Sequence, residues 1–136
     1  MGLAGSRARN VDEAFTSYRD LRVWQDAMTL AELCYRLTRD FPREELFGMV
    51  SQIRRSAASI AANIAEGHGR EQTRSFIQFL RMAQGSLKEL ETHLLLSQRV
   101  QLASSSSLAP LFSQCNELGG MLRSLIRSLQ KRAAEA

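Results

Sequence analysis

Apolar residues recur along most of the chain in alternating steps of three and four, the rhythm of helices that bury one stripe. Four segments carry it. The first spans about Leu21 to Arg39, with the stripe Leu21, Trp24, Met28, Ala31 and Tyr35 and a second stripe, Leu30, Leu33 and Leu37, beside it. A helix apolar on two sides must bury both, so one side is expected to face the core and the other a neighbouring subunit. Asp20 is placed to cap its start, and Asp40-Phe41-Pro42 ends it, because the residue before proline is pushed out of the α region.

The second segment spans about Glu44 to Glu66, with Leu46, Val50, Ile53, Ala57, Ile60 and Ile64 as its stripe. Glu44 and Glu45 suit the positive end of its dipole, and Gly67 is placed as the residue just past its last turn. The third spans about Thr73 to Val100, with Phe76, Leu80, Ala83, Leu87, Leu90 and Leu94. Gly85 inside it predicts a close approach by another helix. After the linker Ser104–Ser107, the fourth spans about Leu108 to Arg132, with Leu108, Leu111, Cys115, Leu118, Leu122, Leu125 and Leu129. Strand-like alternation is missing. The prediction is an all-α, antiparallel up-down-up-down four-helix bundle over residues 18–136, preceded by an N-terminal arm, residues 1–17, expected to be flexible.

Composition adds a bias. The net charge is +4, and every base other than Lys88 and Lys131 is arginine. Arginine grips phosphate and carboxylate in a bidentate way, which favours an anionic partner; a GC-rich genome would leave the same bias. Cys34 and Cys115 lie on apolar stripes and read as buried thiols. No apolar run approaches the ~20 residues of a membrane span, so a cytoplasmic protein is expected.

Catalytic chemistry finds little to use. His68 and His93 are the only histidines, no Glu-x-x-His pair occurs, and no nucleophile elbow or phosphate loop is present. The expectation is a non-enzyme with no metal and no cofactor.

Two polar features remain. Ser59, Asn63 and Glu66 follow i, i+4, i+7, with Gln52 and Arg55 extending the line and alanines flanking it. Such a line is either a paired network between helices or subunits, or an anion-binding groove using Arg54, Arg55 and Arg70. Arg123, Arg127 and Lys131 follow i, i+4, i+8 with no acid among them. They form either a solvated face or a stripe for a phosphate backbone. No aromatic interleaves with that stripe, which argues against base stacking there.

The residues Phe41-Pro42, Glu45, Gln52, Arg54-Arg55, Ser59-Ile60, Asn63-Ile64-Ala65-Glu66-Gly67 and Arg70 form a signature, joined by Phe76, Phe79-Leu80, Ala83, Gly85-Ser86-Leu87 and Glu89-Leu90-Glu91. Together with Met121-Leu122, Leu125-Ile126 and Leu129, they resemble the bacterial four helix bundle protein family, also called the large-subunit rRNA intervening-sequence protein family. That family is similar to the accessory variability determinants of diversity-generating retroelements. The resemblance covers about Tyr18 to Arg132. It implies a bundle that closes into a homopentameric ring, a cytoplasmic non-enzymatic role, and for the retroelement relatives a basic surface for nucleic acid and a reverse transcriptase partner.

The leading expectation is therefore an oligomeric accessory protein that binds an RNA or DNA backbone and partners a reverse transcriptase. Its contacts would come from Arg54, Arg55, Arg70 and Arg74, then from Arg123, Arg127 and Lys131. The alternative is a protein-binding scaffold with no nucleic-acid contact, suggested by the second stripe at Leu30, Leu33 and Leu37.

Overall fold

A computed structural model describes residues 17–135. The arm expected over residues 1–17 lies outside it except for Ser17, whose side chain accepts from the Arg19 N–H at 3.1 Å and caps a short 3-10 turn, Tyr18–Asp20. Four α-helices follow: α1 (Arg22–Thr38), α2 (Ser51–Gly69), α3 (Thr73–Arg99) and α4 (Ser105–Glu135). Among the described residues there is no strand. The main helix–helix contacts are α1 with α2, α2 with α3, α3 with α4, and α4 with α1. Three residues join α2 to α3 and five join α3 to α4, too few to let either pair run parallel. The result is a four-helix bundle in which α2 and α4 stand diagonally across the core.

That core follows the predicted rhythm closely in three helices. Ile53, Ala57, Ile60 and Ile64 of α2, Leu80, Ala83, Leu87, Leu90 and Leu94 of α3, and Leu108, Leu111, Cys115, Leu118, Leu122 and Leu129 of α4 are all buried. Ile126 takes the place expected for Leu125, which is only partly buried. In α1 the buried stripe is Val23, Ala27, Leu30 and Cys34, while Met28 and Tyr35 face outward. Of the second stripe, Leu30 is buried in the core, while Leu33 and Leu37 are partly buried against it and line an open crevice with Leu102 and Ala103 of the α3–α4 connection.

Helix ends differ from expectation for identifiable reasons. Asp20 closes the 3-10 turn, and Leu21 precedes α1 with no side-chain cap. The segment expected to run unbroken from Glu44 instead has a 3-10 turn over Arg43–Glu45 and a π turn over Leu46–Val50, broken at Gly48 (φ −109°, ψ −107°). The left-handed turns after α2 and α3 are made by Glu71 (φ 59°) and Gln101 (φ 66°) instead of glycine. After α3, Leu102 N–H reaches back to the Ser97 carbonyl at 2.8 Å, which satisfies the helix end. Ser104 caps α4 by accepting from the Ser107 N–H at 3.1 Å.

Neither glycine does what its place in the sequence predicts, and Gly67 takes the close approach expected at Gly85. Gly67 is inside α2 and buried, and a Cβ there would lie 2.5 Å from Phe79 Cβ. Its lack of a side chain is what lets α3 come close. Gly85 is exposed with nothing within 4 Å of a Cβ, so no helix approaches it.

Candidate nucleic-acid interface

Helix α2 sets the positions of most candidate residues. Its first turns place Arg54 toward α1. There the Arg54 Nε donates to Thr38 Oγ1 at 2.9 Å, and the guanidinium carbon lies 4.4 Å from the Tyr35 ring centroid. Thr38 in turn donates to the Cys34 carbonyl at 2.8 Å. Arg54 thus ties α2 to α1 through a buried hydroxyl and an aromatic face. Arg55, one residue on, is exposed.

The polar line of α2 meets α3. Ser59 Oγ and Ser86 Oγ share a hydrogen bond of 2.7 Å, and Asn63 Nδ2 donates to the Ser59 carbonyl at 2.9 Å and to its hydroxyl at 3.2 Å. Ser86 could not be picked out in the sequence, since its role depends on the antiparallel register. Glu66 stands apart from this cluster: it is more than half exposed and pairs with Arg70 at 3.1 Å. Gln52 contributes its backbone carbonyl, which accepts from Ser56 Oγ at 2.8 Å.

The seven candidate bases do not form one patch. Arg55 and Arg70 are separated by about 22 Å along α2, at about 1.5 Å per residue, so Arg54, Arg55 and Arg70 cannot converge on one small anion. Arg70 also lies over the Phe79 ring, 5.0 Å from its centroid, at the end of the bundle where Arg74 begins α3. Arg123, Arg127 and Lys131 are exposed on α4, diagonal to α2. None of the side-chain ion pairs among the described residues involves Arg55, Arg74, Arg123, Arg127 or Lys131.

Reactive groups are sparse. Burial pushes the thiols of Cys34 and Cys115 up to about 12, with the Cys115 charge adding at Cys34 and the Glu91 charge adding at Cys115. His93 Nε2 is buried without a hydrogen-bond partner, 3.7 Å from Glu89 Oε2. Among the described residues, no three His, Cys, Asp or Glu side chains gather where a metal ion could sit. No helix among them is long and apolar enough to cross a membrane.

A sequence model of the 23S rRNA-intervening sequence protein family matches residues 19–124. The chain belongs to that family. The 23S rRNA-intervening sequence match begins inside the 3-10 turn and ends within α4, so it includes all of α2 and its polar line. A crystal structure of a protein of unknown function from the S23 ribosomal protein family of Bacteroides thetaiotaomicron is similar, with a TM-score of 0.69 and 26% identity. The similarity covers 76% of this chain and 97% of the other. No curated protein matches.

Proposed function

We propose that this family member is a non-enzymatic, cytoplasmic accessory protein that binds the backbone of RNA or DNA and works as a homo-oligomer. The observation that carries this reading is the free cationic surface. Arg55, Arg123, Arg127 and Lys131 are exposed, and none has a carboxylate partner within ion-pair distance among the described residues. Phosphates are the partner such bases suit best, and their spread over α2 and α4 fits an extended polymer better than a small anion. The pentameric ring comes from the family resemblance and a reverse transcriptase partner from the retroelement relatives, and both belong to the same proposal. Exposed Met82, Leu95 and Leu96 on α3 provide apolar surface for contacts between copies.

Those same apolar residues favour a second reading, a protein-binding scaffold without nucleic-acid contact. Filter binding of RNA and DNA at low salt tests the first reading. It expects retention of both, abolished by charge reversal at Arg123 and Arg127. No retention of either polymer at low salt would overturn it, and a co-purified polypeptide that survives high salt would support the scaffold.

A further inference from the structure

The break at Gly48 has a consequence on the surface. The π turn sends Val50 into the core but leaves Phe47 92% exposed. Phe47 is not an isolated apolar side chain. It borders a shallow hollow of about 520 Å³ together with Leu46, Tyr35, Arg54 and Arg55. Leu46 and Tyr35 are themselves 47% and 45% exposed.

The two arginines there are not equivalent. Arg54 is fixed by Thr38 and by the Tyr35 ring, so it forms a rigid, partly buried floor. Arg55 is exposed and has no carboxylate partner among the described residues. No acid lines the hollow. The nearby Glu45 carboxylate is occupied as a cap, accepting from the Met49 N–H at 3.2 Å. Helix packing has therefore brought Tyr35 of α1 beside Phe47 of the π turn and Arg54 and Arg55 at the start of α2.

We infer that this hollow binds single-stranded nucleic acid, with one base stacked on Phe47 and the adjoining phosphate held by Arg55. The inference rests on the nucleic-acid reading above and adds a mode to it. An open aromatic face beside an unpaired guanidinium matches the two recurring chemical features of a single strand, a π face and a phosphate. In a duplex the base faces are already stacked on each other, so duplex can use the arginine but not the ring. A second copy docked by the same patch about a two-fold axis would set Arg55 against Arg55 in a hollow lined by no described acid, whereas phosphate supplies the missing charge.

The test is fluorescence anisotropy of labelled oligoadenylate, alone and paired with oligouridylate, at about 50 mM salt. Wild type, Phe47→Ala, Phe47→Trp and Arg55→Gln are compared, with 2-aminopurine in the strand reporting stacking. Because Phe47 and Arg55 are exposed, thermal melts should be unchanged in all variants. The single strand should bind tighter than the duplex and quench 2-aminopurine. Phe47→Ala should weaken single-strand binding about tenfold and abolish the quench, while Phe47→Trp retains both. Single-strand binding that is indifferent to Phe47→Ala would overturn the stacking mode and leave the nucleic-acid reading standing. Binding to neither strand form would overturn both. A fall in assembly mass for Phe47→Ala, with affinity per protomer unchanged, would assign the patch to contacts between copies and also overturn the inference.

Discussion

Gly67 and Phe79 set the spacing of α2 and α3: a Cβ on Gly67 would sit 2.5 Å from Phe79 Cβ, closer than packed carbons can lie. The contact falls near one end of the helix pair. The Ser59–Ser86 hydrogen bond fixes the same register nearer the middle.

Two alanine substitutions should therefore have opposite signs. Gly67→Ala forces α3 away and should cost about 2–3 kcal/mol. Gly85→Ala meets open space in an exposed helix interior and should add about 1 kcal/mol. Urea denaturation of the two variants measures both. A neutral Gly67→Ala would mean that the helices are farther apart than described.

Ser97 is fully buried, and its hydroxyl has no hydrogen-bond partner. The carbonyl of the same residue still accepts from Leu102 and Ala103, so the α3 end does not need the side chain. Ser97→Ala should raise stability by about 1 kcal/mol, seen as a higher urea midpoint. A drop in stability would indicate a partner for the hydroxyl.

The buried thiols give a pH dependence of definite sign. In the unfolded chain Cys34 and Cys115 ionise near 9.0, and in the bundle only near 12. Ionisation then favours the unfolded chain as pH rises from 9 to 12, so stability falls across that window and is unaffected by these groups below it. Urea midpoints on either side of pH 9 should show a steeper fall for wild type than for the Cys34→Ala, Cys115→Ala double variant. At neutral pH both thiols should resist alkylation until the protein unfolds.

The repeat of Leu87, Leu90 and Leu94, or of Leu111, Cys115 and Leu118, was legible because leucine at that spacing has only one way to leave water. The stripe of α1 was misread for the converse reason. Apolar residues of mixed size surround that helix, and only its neighbours decide that Ala27 and Cys34 go in while Met28 and Tyr35 stay out. The glycines show the same limit. Gly67 and Gly85 look alike in sequence, and the difference lies in Phe79, which reaches Gly67 from a separate helix. At the candidate site, Ser59 and Asn63 were visible as a line, but Ser86 was not. Nothing in the sequence signals that Arg54 is also tied to α1, because that contact depends on Thr38 and Tyr35 lying opposite it. Phe47 is not legible in the sequence as a surface residue, since an aromatic in an apolar stretch is ordinarily core, and only the break at Gly48 turns it outward.

The most direct test of nucleic-acid binding is its salt dependence. Affinity for an RNA or DNA oligomer should fall linearly on a log–log plot against salt, with a slope set by the number of phosphates neutralised. Replacing Arg123, Arg127 and Lys131 by glutamine should make that slope shallower by about one for each phosphate that is no longer neutralised. An affinity that does not change with salt, or no binding at about 50 mM salt, would contradict a backbone-binding role for the protein.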